Sequence, residues 1–304
     1  MKHGKIGYIH YFIEKGSVFM SIYFIDGHYT SQDEIKISID DRGYYFGDGV
    51  YEVVKVYDGQ LFTGVEHFER LLRSAEKISM NVPYTVDDLI EISNKLIADN
   101  GLENGHVYLQ VTRGVSKRQH NFPTPAVPAF MTAYTVEANV PNADQAAGVK
   151  VKTVEDVRWL RCDIKSLNLL GSVLAKEEAK LAGCAEAMLH RDGVVTEGSS
   201  TNMFAIKDGV IYTHPATNLI LEGITRQVVL QVCEELDIPV KLEAFKVEDV
   251  FTMDELFYTS TTVEVMPIIE VDGKMIGNGQ KGPITDKIQA MFKTKTPHND
   301  KQLS

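Results

Sequence analysis

Along the first half of the chain, segments whose apolar residues have the spacing of a strand alternate with segments whose apolar residues have the spacing of a helix. Alternating or β-branched apolar runs predict strands over 22–25, 35–39, 50–57, 107–112 and 129–136. Helical spacing of Phe68, Leu71, Leu72 and Ala75 predicts a helix over 65–78. A second helix is predicted after Thr85, because a threonine followed three residues later by an acid is typical of a helix start.

The second half repeats this alternation of strands and helices. Strands are predicted over 149–154, 185–189, 203–206, 241–245 and 256–259, and helices over 169–181, 225–236 and 247–252. The pattern changes character near residues 137–141, where we place a domain boundary. The predicted organisation is an extension (1–19), a small α/β domain (20–138), a larger domain (139–292) and a flexible polar tail (293–304).

Composition and charge narrow the choice of partners. The chain has 304 residues, 44% of them hydrophobic, which is ample for two cores. Its 42 acidic and 31 basic residues give a net charge of -11, which disfavours nucleic acids and anionic membranes as partners. Three widely spaced cysteines form no disulfide or zinc pattern, so a reducing cytoplasm is expected. No apolar run reaches the roughly 20 residues of a membrane helix.

In the segment Val195–Asn202, an acidic residue, Glu197, precedes a run of small hydroxylated residues. Its glycine, serines and threonine are typical of an ordinary surface turn. Apolar segments on both sides place this turn between two strands, and a carboxylate at Glu197 beside several donors is also a candidate site. Both interpretations stay open on these residues alone.

Three further groups could bind anions. Gly223, Ile224 and Thr225 precede a helix, whose free N–H groups suit a phosphate, although Thr225 could merely cap that helix. The hydroxyl run 260–262 follows a strand. Arg118 and His120 alternate, so in an extended segment they would face one side as a carboxylate trap, or else as a solvated basic loop.

Metal and hydrolase patterns are absent from the sequence. The nine histidines have no metal-ligand spacing, no phosphate-binding glycine motif follows a strand, and no nucleophile elbow occurs. One lysine, Lys165, stands out because its segment holds the only tryptophan and several apolar neighbours.

Taken together, four segments carry a specific resemblance. In chain order they are 163–168 around Lys165, 197–202, 223–226 and 259–262. They closely resemble the pyridoxal-phosphate aminotransferases of fold type IV, and within them the D-amino-acid-specific branch, over about residues 20–292. The resemblance implies transamination between a D-amino acid such as D-alanine and a 2-oxo acid such as 2-oxoglutarate, by a ping-pong mechanism.

The resemblance also implies a role for each matching residue. Lys165 would form a Schiff base with pyridoxal phosphate and act as the base at the substrate Cα, and Glu197 would keep the pyridine nitrogen protonated. The remaining assignments are phosphate binding by Arg70, Ile224, Thr225 and Thr261, ring packing by Leu221, cofactor contacts by Ser199 and Ser200, and substrate binding by Tyr51, Arg118 and His120.

The implied architecture is a smaller N-terminal α/β domain and a larger C-terminal mixed-sheet pseudo-barrel, with the cofactor at the domain interface. A cytoplasmic homodimer acting on small amino and oxo acids is expected, with a loop from the partner as a possible contributor. Three alternatives stay open: an aminotransferase for branched L-amino acids, an enzyme like aminodeoxychorismate lyase, and a non-catalytic protein that binds small anions.

Overall fold

The protein is described here by a computed structural model over residues 21–297. The predicted extension 1–19, and residues 298–304 of the predicted tail, lie outside the described residues. Within 21–297 no helix combines the length and the apolar character needed to cross a membrane.

The N-terminal half forms one antiparallel sheet with helices on one face. The strands are β1 (Ile22–Ile25), β2 (His28–Ser31), β3 (Gly49–Tyr57), β4 (Gln60–Leu61), β5 (Gly105–Thr112) and β6 (Phe130–Glu137), and the helices are α1 (Arg42–Phe46), α2 (Gly64–Lys77) and α3 (Val86–Asp99). The strand order is β2-β1-β6-β5-β3-β4.

Helices α2 and α3 form where the apolar spacing predicts them. Thr85 and Asp88 form a capping box at the start of α3, which confirms the predicted helix start. Phe68 and Leu71 of α2 pack with Val50 and Val54 of β3 in a fully buried cluster. This packing holds β3 rigidly, and β3 carries Tyr51 on its opposite face.

The C-terminal half forms a larger mixed sheet. Its strands are β7 (Val149–Glu155), β8 (Glu186–Arg191), β9 (Val194–Gly198), β10 (Asn202–Lys207), β11 (Val210–Thr213), β12 (Val240–Lys241), β13 (Glu255–Ser260), β14 (Glu264–Val271) and β15 (Lys274–Met275). Its helices are α4 (Asn142–Ala147), α5 (Leu170–Leu181), α6 (Ile224–Glu235), α7 (Val247–Val250) and α8 (Pro283–Lys295).

This sheet runs β12-β11-β10-β13-β14-β7-β8-β9, with β15 beside β14. Its central strands pair antiparallel, whereas β7 pairs parallel with both β14 and β8. The sheet curls into a half-barrel with a core on each face. The fold type predicted from the resemblance is therefore confirmed.

Two predicted strands are wrong: one is absent and the other is shorter than predicted. Residues 35–39 form no strand, and Ile37 and Ile39 are 57% and 71% exposed. Asp26 and Gly27 both have positive φ and form a tight turn. The strand that pairs with β1 therefore begins directly after this turn, and β2 occupies 28–31. Likewise the strand predicted over 241–245 ends at Lys241, because it pairs only with two residues of β11.

The run Val195–Asn202 is only partly a turn. Its first four residues lie in β9 and are buried, and the chain turns at 199–201 before β10 begins. The sequence analysis also missed the strands β4, β9, β11, β14 and β15 and the helices α1, α4 and α8. Helix α8 extends to Lys295, three residues into the predicted tail. The domain boundary after residue 138 stays a prediction; β6 ends at Glu137 and α4 begins at Asn142.

Candidate active site

A cavity of about 790 Å³, open to solvent, lies between the two halves of the chain. Its walls come from β3, α2, the loop before α5, the turn between β9 and β10, the start of α6 and the end of β13. All of the predicted site residues except Arg118 and His120 line it, namely Tyr51, Arg70, Lys165, Glu197, Ser199, Ser200, Leu221, Ile224, Thr225 and Thr261.

Lys165 presents a free amine to this cavity. Its backbone is fixed from both sides, because its N–H donates to Ser74 Oγ (3.3 Å) and its carbonyl accepts from Tyr51 N (3.0 Å). The Nζ atom lies 4.1 Å from the centre of the Tyr51 ring. Within the described part of the chain, no hydrogen bond or ion pair occupies this amine, so it is available for covalent chemistry.

Glu197 is a buried acid held from three directions. Arg158 Nη1 donates to its Oε1 at 2.6 Å, and Oε2 accepts from Leu221 N (3.0 Å) and Asn202 Nδ2 (3.1 Å). Burial raises the pKa of Glu197 to about 7, against the opposing effect of Arg158. The carboxyl group is therefore poised to hold or share a proton near neutral pH.

Arg158 is the main functional residue that the sequence analysis missed. Its Nε and Nη2 donate to Asp156 at 2.9 Å each, and Asp156 also accepts from Arg191 (3.2 Å) and Thr196 (3.0 Å). This network fixes the guanidinium that faces Glu197. No local motif marks Arg158, because its partner lies 39 residues further along the chain.

The start of α6 forms an anion cradle. Its first helical residue is Ile224 and its N-cap is Gly223, which makes no side-chain cap. Thr225 lies inside the helix, so the alternative that it merely caps α6 is wrong. The first N–H groups of a helix have no partner within it, and here they border the cavity. The buried hydroxyl of Thr259 also has no partner among the residues of 21–297.

Arg70 contributes a positive charge beside this cradle. Its Nε and Nη2 donate to the two oxygens of Glu52 at 2.7 and 2.9 Å, and Nη1 donates to Glu222 O at 2.8 Å. Burial raises the pKa of Glu52, but Arg70 and His67 outweigh burial and hold it well below its usual range. Each terminal nitrogen of Arg70 carries two N–H groups, so donors remain for a ligand.

The two serines after Glu197 differ in their surroundings. Ser199 is buried and donates its hydroxyl to Glu186 of β8, a second acid that the sequence analysis did not single out. Ser200 is exposed at the cavity. Asn202, which carried no predicted role, links Glu197 to the Leu221 carbonyl (2.8 Å) and so shapes the wall of the site.

Arg118 and His120 lie elsewhere. Both are exposed on the loop that follows β5, where they share the ring of Phe46: the Arg118 guanidinium lies 5.2 Å and the His120 ring 5.7 Å from its centre. Neither lines the cavity that contains Tyr51. Within one chain the predicted trap is therefore not assembled.

The donor set of the cavity fits one kind of cofactor. A free lysine amine, a buried acid able to face a basic ring nitrogen, and a cradle of helix N–H groups, hydroxyls and arginine match an aldehyde, a pyridine and a phosphate. These features define the class of pyridoxal-phosphate enzymes.

The family follows from a direct comparison. The model of the family described as amino-transferase class IV matches residues 49–271, and the chain belongs to this family. Pyridoxal phosphate is the cofactor of this family.

The chain is similar to characterised relatives over almost all of its length. It is 50% identical over 273 residues to a D-alanine aminotransferase of Staphylococcus haemolyticus, covering 90% of this chain and 97% of that one. Among solved structures, a branched-chain amino acid aminotransferase from Escherichia coli matches with a TM-score of 0.86 at 26% identity, covering 92% and 97% of the two chains. One from T.th. with pyridoxamine 5'-phosphate matches with a TM-score of 0.85 at 28% identity, covering 93% and 96%.

Proposed function

We propose that the protein transfers the amino group of a D-amino acid to a 2-oxo acid, with D-alanine and 2-oxoglutarate as a representative pair, giving pyruvate and D-glutamate. The observation that carries this proposal is the free amine of Lys165 in one cavity with Glu197 and the α6 cradle. The 50% identity to D-alanine aminotransferase supports the D-amino acid as substrate.

Lys165 has two successive tasks in this proposal. It would hold the cofactor covalently between turnovers, and its free amine would be the base that removes the proton from the substrate Cα. When bound, the cofactor supplies a ring that delocalises the electrons left on that carbon. The amine lies 4.1 Å from the centre of the Tyr51 ring. Because a base tethered at one position reaches a bound substrate from one side, we expect it to deprotonate one configuration at Cα.

With the cofactor bound, Glu197 would face the pyridine nitrogen and favour its protonated form, and Arg158 favours the charged form of Glu197 against the effect of burial. A buried carboxylate alone would favour its neutral form, since burial penalises charge. The guanidinium at 2.6 Å opposes that tendency, so the acid can stabilise a pyridinium. This role makes Arg158 a positioning residue rather than a catalytic one.

The phosphate-binding roles go to residues at the start of α6 and to lining residues from α2 and the segment after β13. Ile224 and Thr225 offer backbone N–H groups, and Thr261 and Arg70 add a hydroxyl and a positive charge. Leu221 would pack against the cofactor ring, and Ser200 would contact the cofactor or substrate from the turn after β9. Ser199 supports that turn through Glu186.

The carboxylate trap requires a second subunit in this proposal. Tyr51 lies in the cavity, whereas Arg118 and His120 are exposed outside it and are available to a neighbouring copy. Exposed leucines beside the cavity-lining segments in sequence support a homodimer, because Leu160, Leu170 and Leu174 are 59%, 71% and 59% exposed. Pairing of two copies would bring the loop of one to the cavity of the other.

A second candidate is an aminotransferase for branched L-amino acids. This candidate is favoured by the TM-scores of 0.86 and 0.85 to two branched-chain amino acid aminotransferases, but the sequence identities to these two proteins are only 26% and 28%. Backbone similarity at that level is expected for any member of the family. The pair Arg118 and His120 supports the D-specific alternative.

We further propose that residues 139–292 act as the larger, cofactor-binding domain, which supplies most of the cavity wall. A cytoplasmic location is supported by three free cysteines, Cys162, Cys184 and Cys233. Small amino and oxo acids are the partners proposed, and the net charge of -11 disfavours nucleic acids and anionic membranes.

The decisive experiment compares two substrate pairs on the purified protein loaded with pyridoxal phosphate. D-Alanine with 2-oxoglutarate should give pyruvate and D-glutamate, and L-leucine with 2-oxoglutarate should give little product. Turnover of L-leucine alone would transfer the protein to the branched-chain alternative. A protein that never becomes yellow with pyridoxal phosphate would be a non-catalytic anion-binding protein instead.

The variant Arg118→Ala tests the carboxylate trap. The control is Lys117→Ala, which changes the adjacent exposed residue. Loss of a charged hydrogen bond costs about 1.5–3 kcal/mol, so the KM for D-alanine should rise by about 10- to 150-fold in Arg118→Ala only. Equal kinetics in the two variants would remove Arg118 from the trap.

A further inference from the structure

A buried arginine outside the cavity, Arg42 of α1, contacts the loop that carries Arg118 and His120. It is 3% exposed, and its Nη1 donates to Gln119 O at 2.8 Å and to Asn121 O at 3.3 Å. These two carbonyls stand immediately before and after His120. One guanidinium therefore fixes the backbone on both sides of that residue.

The other end of Arg42 is anchored to a rigid block. Its Nε donates to Asp48 Oδ2 at 2.7 Å, and the same carboxylate accepts from Arg113 Nε at 2.9 Å. Arg113 in turn donates to Ser79 O (2.9 Å) and Ile78 O (2.7 Å) after α2. This series of hydrogen bonds therefore connects Arg42 to the packed N-terminal sheet and its helices.

Besides the contacts made by α1, the loop is ordered by the Phe122 ring, whose centre lies 3.7 Å from the Arg113 guanidinium. For residues 117–122 the structure gives no hydrogen bond from the rest of 21–297 apart from those donated by Arg42. The Phe46 ring, which also belongs to α1, lies beneath the Arg42 and Arg118 guanidinium groups (4.9 and 5.2 Å) and beside the His120 ring. Thus α1 supplies both the backbone clamp and the platform for the two side chains.

We propose that Arg42 is a positioning residue for substrate carboxylate recognition: it holds the 119–121 backbone so that Arg118 and His120 present their donors together. This inference rests on the proposed function, which assigns those two residues to the trap. Preorganised donors bind a carboxylate more tightly because their ordering is complete before binding. A lysine at position 42 keeps the charge but cannot fork to three acceptors.

The test is a double-mutant cycle on the loaded enzyme with Arg42→Lys and Arg118→Ala, measured as kcat/KM for D-alanine. Arg42→Lys should lower kcat/KM about tenfold, mainly through KM, in line with the sensitivity of positioned groups to small displacements. In the Arg118→Ala background the same change should cost less than about threefold, because the residue through which Arg42 acts is gone. Arg73→Lys, the same change at an exposed α2 arginine, is the control.

A second readout separates positioning from general damage. Reaction of the loaded enzyme with ethylamine, which has no carboxylate, should proceed equally in wild type and Arg42→Lys. Equal losses with ethylamine and D-alanine, or an undiminished effect of Arg42→Lys in the Arg118→Ala background, would overturn the proposal. If Arg118→Ala alone leaves D-alanine kinetics unchanged, the trap assignment fails instead.

If Arg42→Lys does not fold, Phe46→Leu tests the same support. That variant keeps the hydrogen bonds of Arg42 and removes the ring under Arg118 and His120. A loss restricted to carboxylate substrates supports α1 as the platform. Unchanged KM values for D-alanine would overturn the assignment of the Phe46 ring as a platform for the trap, because only that ring is lost in this variant.

Discussion

The substitution Arg158→Met removes the positive charge that faces Glu197 and keeps a side chain of similar length. The guanidinium donates to Glu197 Oε1 at 2.6 Å, and both side chains are nearly buried, at 12% and 5% exposure. Asp156 keeps Arg191 and Thr196 as partners, so the change leaves no second unpaired acid. The variant therefore isolates the effect of one charge on one carboxyl group.

The expected magnitude follows from Coulomb's law. Two charges with centres roughly 4 Å apart interact by about 4 kcal/mol at an effective dielectric constant of about 20. Loss of that interaction shifts the balance of charged and neutral Glu197 by about a thousandfold toward the neutral form. Because the pKa of Glu197 is already raised to about 7, the variant would hold the acid protonated throughout the neutral range.

A neutral acid cannot stabilise a pyridinium, so cofactor affinity and activity should fall together. We expect the dissociation constant for pyridoxal phosphate at pH 7 to rise between about tenfold and a thousandfold, the lower figure allowing for water that enters the vacated space. Titration at several pH values, followed by visible absorbance, measures it. In the wild type, affinity should strengthen as pH rises toward about 7, where Glu197 acquires its charge.

Arg158→Lys is the matched control, because it keeps the positive charge and loses only the ability of a guanidinium to donate to Asp156 and Glu197 through separate nitrogen atoms. Its affinity should lie between those of the wild type and Arg158→Met. If Arg158→Met binds the cofactor and transaminates like the wild type over pH 6–8, the carboxylate of Glu197 does not depend on Arg158. The electrostatic reasoning would then be wrong.

Three other substitutions test separate parts of the structure. Lys165→Ala should lower transamination by at least about 10²–10⁴-fold, the usual effect of a positioned acid–base group, and after borohydride reduction mass spectrometry should find a pyridoxyl group in the wild type only. Gly223→Ala would place a Cβ in steric conflict with Asn202 Oδ1, so it should weaken cofactor binding by about 1–3 kcal/mol in the same titration. Tyr57→Phe removes the 2.7 Å bond to the buried Glu264 and should lower the free energy of unfolding by about 1.5–3 kcal/mol in urea, with unchanged stability as the contrary result.

Local patterns predict the parts of the fold that local forces decide. The capping box at Thr85 and the apolar stripe of α2 are complete within a few residues, and both are confirmed. The strand β9 could not be found in this way, because Thr196 and Glu197 are polar residues that are buried through distant partners, Asp156 and Arg158. Their burial depends on tertiary pairing, which no periodicity records.

The same distinction separates the parts of the site. Lys165 and Glu197 could be placed from the sequence because the resemblance links them across a fixed spacing, and the structure brings both into one cavity. Arg158 and Glu186 lie on other segments and become relevant only through contacts with Glu197 and Ser199. Supporting residues of this kind are defined by geometry rather than by motif.

The alternation of Arg118 and His120 leads to a conclusion about how the site is divided. The sequence predicts that both face one side, and both indeed contact the Phe46 ring, but on a surface outside the cavity of their own chain. Under the proposed function, the two residues assigned to the cofactor chemistry are Glu197 on β9 and Lys165 on the loop before α5, whereas the two exposed residues assigned to the carboxylate trap lie on the loop after β5, beside α1. If the two meet only between subunits, substitutions at Arg42 or Arg118 should change substrate choice without changing cofactor binding, and those at Arg158 should do the reverse.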